Sequence, residues 1–268
     1  MTDVIAPNVT KDIALKANGL KKAFGGLIAT DNLSLSVATG EIHAVIGPNG
    51  AGKTTLVNLL SGMLRPDAGS IQFNGRDVTR LPAPARVKAG LSRSYQITSI
   101  FRDFTVLENV MFSVQARQGH SFRFWKPVSR DASLIDPARE LLGRVGLGDR
   151  VDIRAGELAY GEQRQLEIAI SLATQPSFLL LDEPMAGMGP EESQRMIEFL
   201  RALKGAYTIL LIEHDMDAVF ALADRITVLV YGKVIATGAP DDIRNDPAVR
   251  EAYLGGDDSD DCSEEGAA

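Results

Sequence analysis

The chain has 268 residues, 45% of them apolar and 24% charged. This is an ordinary globular composition, long enough for one large domain or for a core with a smaller subdomain, and it contains no apolar run near the roughly 18 residues that cross a membrane. Six of the seven net negative charges fall in residues 256–268, so the rest is nearly neutral and lacks the basic excess of a nucleic-acid binder; the single cysteine, Cys262, rules out an internal disulfide framework and favours a reducing setting.

In chain order, residues 1–12 read as a loose arm with no apolar signal core. Residues 14–38 alternate apolar and polar, as in Leu33-Ser34-Leu35-Ser36-Val37, and predict antiparallel strands with Phe24-Gly25-Gly26 as a turn. Residues 41–46 form a short apolar strand. Residues 54–60 open a helix whose apolar face is Leu56, Val57, Leu59 and Leu60. Between strand and helix lies Gly47-Pro48-Asn49-Gly50-Ala51-Gly52-Lys53-Thr54-Thr55, a full Gly-x4-Gly-Lys-Thr phosphate-binding pattern. At a strand-to-helix turn the free N–H groups and the positive end of the helix dipole surround a polyphosphate, and glycines let the backbone approach it. Lys53 would neutralise β- and γ-phosphate charge, and the Thr54 hydroxyl would hold Mg²⁺. This is a nucleotide site.

Pro66-Asp67-Ala68-Gly69 then breaks the chain. A strand at 70–73 turns at Asn74-Gly75, a short helix follows at 84–88, and a strand at 91–95 delivers Gln96. Residues 97–165 change character. Val106, Leu107, Val110, Met111 and Val114 have helical spacing, as do Ile135, Ala138, Leu141, Leu142 and Val145, while the stretch between these two sets is aromatic and basic without period. They predict a helical subdomain inserted into an α/β core, its last helix running from about 161 to 173. Three compact apolar strands at 178–181, 208–212 and 226–230 alternate with helices at 190–203 and 215–223, which implies a parallel sheet. Pro190 suits a first helical position and Asp215 a cap. A hairpin arm at 232–238 and a helix at 246–253 close the fold, and residues 255–268 form an acidic tail too polar to bury.

The 178–181 strand ends in Asp182-Glu183. Such a pair is often a solvated turn, but beside a phosphate loop on a parallel sheet Asp182 would assist Mg²⁺ through water and Glu183 would polarise the attacking water. His214 follows the next strand at its C-terminal end, where ligands of open α/β sheets gather, and could reach the γ-phosphate and the water. His43 and His120 have no such setting.

With these residues in place the chain resembles the ATP-binding cassette superfamily over residues 13–254. The matches fall in the superfamily's order: Phe24 as the aromatic stacking on adenine, the phosphate loop, Gln96 as the Q-loop glutamine, Leu158-Ala159-Tyr160-Gly161-Glu162-Gln163 as the signature, Leu181-Asp182-Glu183-Pro184 as Walker B and His214 as the switch histidine. The resemblance implies an α/β P-loop (RecA-like) core with an antiparallel β subdomain and the inserted helical one. It also implies ATP with Mg²⁺, held partly through water by Thr54, Gln96 and Asp182, and two cassettes bound head to tail so that Ala159, Tyr160, Gly161 and Glu162 act on the partner's ATP. Two positions depart from the pattern. Ala159-Tyr160 replace the usual serine and glycine, so the expected hydroxyl contact to the γ-phosphate is missing unless Tyr160 or the backbone supplies it, and Gly189 stands where an aspartate is common; a second, different cassette subunit is favoured over a second copy of this chain to complete the Lys53 site.

Residues 158–167 (LAYGEQRQLE), residues 100–109, the Gly25-Gly26 pair and the ending near Tyr253-Leu254-Gly255 are similar to one ATPase subunit of branched-chain amino acid uptake systems. That similarity implies two membrane permeases, a periplasmic binding protein acting indirectly, and a cytoplasmic location on the inner membrane. The alternatives are an ATPase of a lipopolysaccharide-export-type system and a cassette ATPase that serves no transporter. Phe101 and Phe104 are expected to line a groove for a permease coupling helix.

Overall fold

The computed structural model describes residues 12–94, 100–119 and 131–254. The N-terminal arm before Asp12, Gln96, most of the aromatic basic stretch with His120, and the acidic tail lie outside the described residues.

Strand β1 (Ile13–Phe24) turns at Gly25 and pairs antiparallel with β2 (Leu27–Ala38). Next come β3 (Ile42–Ile46) and α1 (Lys53–Ser61), then β4 (Ala68–Phe73) and β5 (Arg76–Asp77), joined by an Asn74-Gly75 turn in which both residues have positive φ. A short α2 (Ala83–Lys88) and β6 (Leu91–Arg93) precede three long helices, α3 (Val106–Gln118), α4 (Ala132–Arg144) and α5 (Tyr160–Ala173). The chain finishes with β7 (Phe178–Asp182), α6 (Pro190–Leu203), β8 (Thr208–Ile212), α7 (Met216–Leu222), β9 (Arg225–Val230), β10 (Lys233–Gly238), α8 (Pro240–Asn245) and α9 (Pro247–Leu254). The sequence reading missed α8, a single polar turn after a proline.

One sheet has the order β2-β1-β4-β5 and is antiparallel; the other runs β10-β9-β3-β8-β7-β6, parallel except for its β10 edge. Every residue of β3, β7 and β8 is buried, as their mostly apolar sequences require of strands covered on both faces. The side chains of β7 and β8 alternate between two cores. Phe178, Leu180, Leu210 and Ile212 join Leu56, Val57, Leu59 and Leu60 of α1 and the inner face of the antiparallel sheet. Leu179, Leu181, Ile209 and Leu211 join α3, α4, α5 and α6. The phosphate-loop helix is therefore clamped between two sheets, each buried leucine contributing about 2 kcal/mol. The helices after β6 do not form a core of their own, since theirs is continuous with one face of the parallel sheet.

Buried polar groups brace this frame. Arg86 of α2 donates to the carbonyls of Leu59 and Leu60, both at 2.7 Å, and to those of Leu81 and Thr79 at 3.0 Å, closing the C-terminus of α1. His43 is fully buried between Glu41 (3.0 Å) and the Thr227 hydroxyl (2.8 Å), which makes it structural.

Candidate functional site

Gly47, Gly50 and Gly52 all have positive φ, and two of them have no room for a side chain. A Cβ on Gly47 would collide with the Leu229 carbonyl oxygen of β9, and one on Gly52 with the Ala29 carbonyl oxygen of β2. The loop is also held from behind, where Gly232 in the β9–β10 turn donates to the Ala51 carbonyl and accepts from the Asp31 N–H, both at 2.9 Å. Sequence reasoning missed this backing, because Leu229 and Gly232 lie far along the chain and carry no motif.

Helix α1 starts at Gly52 with no side-chain cap and no acidic residue in its first turn. Its first N–H groups and its dipole are thus left for an anion. Lys53 Nζ donates to the carbonyls of Gly47 (2.5 Å) and Pro48 (3.0 Å) of the same loop. Burial pushes the Lys53 pKa down, opposed by the charges of Glu183 and Asp182. Those two carboxylates are therefore felt at the phosphate loop.

Asp182 ends β7 and is buried, with Oδ2 3.0 Å from Nη2 of Arg93. Burial raises the Asp182 pKa against the opposing pull of Arg93. Arg93 continues to Asn58 Oδ1 (2.7 Å) and Ser61 Oγ (3.2 Å), tying β6 and Asp182 to α1. No motif had marked Arg93. Glu183, one residue on, takes a left-handed φ of 50° while its N–H donates to the Ile212 carbonyl at 2.9 Å. Such a conformation costs about 1 kcal/mol or more in a residue with a side chain, and here it turns the chain sharply out of the strand at the sheet's C-terminal edge.

His214 lies across from it, its Nδ1 3.9 Å from Glu183 Oε1 and its side chain 63% exposed. The buried Glu213 holds the two turns together. Its Oε1 accepts from the Met185 N–H and its Oε2 from the His214 N–H, both at 3.0 Å. Burial raises the Glu213 pKa against these bonds. Sequence reasoning passed over Glu213 because its partners are backbone groups of another loop.

Phe24 stands at the exposed end of the β1–β2 hairpin, 47% accessible, and the same hairpin abuts Gly52 through Ala29. The structure thus brings the phosphate loop, Asp182, Glu183 and His214 to one edge, with the Phe24 hairpin beside it. Ala159, Tyr160, Gly161 and Glu162 form a separate place at the start of α5. There Ala159 offers no side-chain cap, and Glu162 accepts from the Ala159 N–H (3.1 Å) while pairing with Arg150 (3.1 Å). Tyr160 Oη donates to the Ala186 carbonyl at 3.1 Å. Among the described residues, no group of three or more His, Cys, Asp or Glu could hold a metal ion by itself. The hard oxygens of Thr54 and Asp182 suit a Mg²⁺ that arrives with phosphate oxygens as its other ligands.

Known proteins are similar to this chain over most of its length. The family profile described as ABC transporter matches residues 30–186, and one described as branched-chain amino acid ATP-binding cassette transporter matches residues 233–259. The high-affinity branched-chain amino acid transport ATP-binding protein LivG of Salmonella typhimurium is 43% identical over 248 residues, covering 90% of this chain and 97% of that one. A lipopolysaccharide export system ATP-binding protein, LptB of Acidithiobacillus ferridurans, is 36% identical over 244 residues, covering 90% and 96%. The crystal structure of the ADP conformation of an ATP-binding cassette from an ABC transporter superposes with a TM-score of 0.81 at 30% identity, covering 91% of this chain and 99% of that one. A phosphate loop clamped between two sheets, an acidic pair ending the neighbouring strand and relatives matching over nine tenths of the chain lead to one conclusion: this chain belongs to the ATP-binding cassette family of ABC transporter ATPases.

Proposed function

We propose that the chain is the ATP-hydrolysing subunit of an importer for branched-chain or related hydrophobic amino acids, working on the cytoplasmic face of the inner membrane. The observation that carries the ATPase chemistry is the convergence of Lys53, Asp182, Glu183 and His214 on the open N-terminus of α1. Phe24 stacks on adenine, the backbone of residues 47–55 and Lys53 hold the phosphates, and Thr54, Gln96 and Asp182 would hold Mg²⁺, partly through water. Bound Mg²⁺ neutralises charge on the β- and γ-phosphate oxygens. Glu183 polarises the attacking water, while His214 and Gln96 orient it and the γ-phosphate. The strained turn at Glu183 and the Glu213 bridge keep the first two of these groups in register.

The amino acid reading is supported by the LivG likeness and by the C-terminal profile at residues 233–259. Residues 13–254 form the cassette, with the helices between about 97 and 165 as its membrane-facing part. A docking face there is supported by the rings of Phe101, Phe104 and Phe112, which lie edge to face at 5.2–5.8 Å while Phe101 and Phe104 stay 56% and 42% exposed. Asn109 pins that segment through the Phe101 N–H (2.8 Å) and the Phe101 (3.0 Å) and Thr105 (2.9 Å) carbonyls. Two permeases receive the face, a periplasmic binding protein feeds them, and a second, different cassette completes the Lys53 site with its own signature helix.

The test is affinity purification of the tagged chain from detergent-solubilised membranes, with identification of what co-purifies. The expected result is two permeases and one second cassette, with ATP turnover rising when a leucine-loaded binding protein is added. Recovery of a homodimer with export permeases would overturn the importer and heterodimer readings together.

A further inference from the structure

The start of α5 and the loop at 186–189 lie far apart in sequence, yet Tyr160 joins them. Its Oη donates to the Ala186 carbonyl (3.1 Å) and accepts from Nε (3.1 Å) and Nη2 (2.8 Å) of Arg164. Arg164 is buried, sits 5.3 Å from the centre of the Tyr160 ring and continues to the buried Glu167 at 3.0 Å. The ring covers Gly187, whose φ is +78° and where a Cβ would meet the ring edge at 3.5 Å. Glu192 forms a second clamp, since its Oε2 accepts from the Gly189 N–H at 3.3 Å and its carboxylate lies 3.2 Å from the place a Cβ on Gly161 would take. The loop itself hangs on Glu183, whose carbonyl accepts from the Ala186 N–H at 3.1 Å.

A phenol has one proton to donate. While Tyr160 gives it to Ala186, it cannot give it to a phosphate, so the hydroxyl that the signature lacks at Ala159 is not replaced by Tyr160. We infer instead that Tyr160 is a positioning residue that latches the first turn of α5 to the loop after Glu183, so that the N–H groups offered to a partner's ATP respond to nucleotide at the chain's own Lys53. This coupling runs within one chain, which gives the molecule an internal link at the loop where Gly189 replaces an acidic side chain. The role toward a partner's ATP rests on the two-cassette reading above; the latch is a property of the single chain.

Hydrogen exchange by mass spectrometry on the full chain tests it, with Glu183→Gln present to stop turnover. Saturating Mg-ATP is expected to slow exchange about tenfold in segments 159–168 and 184–192 as well as in the phosphate loop. Adding Tyr160→Phe keeps the ring, and ATP affinity and the phosphate-loop response stay within about twofold, but the response of 159–168 falls to less than about threefold. An undiminished response of 159–168 in Tyr160→Phe would overturn the latch. Thermal unfolding of the same variant reports any loss of fold, and Tyr160→Gly, which removes ring and hydroxyl together, must give the same uncoupling. Failure of the two-cassette reading shows separately, as absence of a second cassette in the purified complex with the exchange response intact.

Discussion

The phosphate loop and the start of α5, the two regions proposed to meet ATP, are held in opposite ways. At the phosphate loop, backbone presses on backbone: Gly47 against Leu229, Gly52 against Ala29 and Ala51 bonded to Gly232, all beneath two sheets. At the start of α5, side chains do the holding, through Tyr160, Arg164, Glu162 and Glu192, with Tyr160 exposed and Arg164 buried. Backbone contacts fix the donors for the chain's own nucleotide before it arrives, which is what electrostatic preorganisation requires. Side-chain contacts can break and re-form, so the donors offered to a partner can change position with the state of the site.

Three substitutions probe this contrast, in falling order of effect. Glu183→Gln removes the group that polarises water while leaving the rigid cradle intact. Turnover of the assembled complex should fall by about 10²- to 10⁴-fold with ATP binding retained, as read by steady-state hydrolysis and nucleotide titration. A loss of ATP affinity to match would mean that Glu183 belongs to the cradle and not to the chemistry.

Gly47→Ala attacks the cradle itself. The new methyl group cannot be placed beside the Leu229 carbonyl without moving β9 or the loop, so stability should drop by about 3 kcal/mol and ATP binding should be lost. Denaturant unfolding and nucleotide titration measure the two effects. A stable variant that still binds ATP would show that the loop is as adjustable as the signature end.

Ala159→Ser sharpens the contrast from the other side. Ala159 caps α5 without a side-chain acceptor, so a serine hydroxyl there should gain about 1 kcal/mol by accepting an N–H of the first turn. Thermal unfolding should rise, and only contacts across to a partner's nucleotide should alter turnover. No change in stability would mean that the N–H groups of that turn gain nothing from a side-chain acceptor.

Much of this was legible in the sequence. The 3.6-residue spacing of Leu56, Val57, Leu59 and Leu60 located the buried face of α1, short and mostly apolar runs located β3, β7 and β8, and Pro190 and Asp215 marked helix starts where α6 and α7 begin. Local chemistry is enough for such features, because a period, a cap or a glycine-rich turn is written in adjacent residues. What escaped were groups whose partners are distant backbone atoms or buried ions: Arg93 on Asp182, Glu213 bridging Met185 and His214, and Arg86 closing α1. An isolated Arg or Glu in a sequence reads as a solvated side chain, and only packing reveals that it is buried and paired.

The sequence by itself determined that a polyphosphate would sit at residues 47–55, since that pattern of glycines, lysine and threonines has its meaning in one strand-to-helix turn. It also placed an acidic pair and a histidine at the ends of neighbouring strands. Only the tertiary structure decided what the departures at Ala159, Tyr160 and Gly189 touch. Tyr160 finds its partners 4 and 26 residues away, at Arg164 and Ala186, and the second of those contacts exists because α5 and the loop after β7 pack against the same parallel sheet.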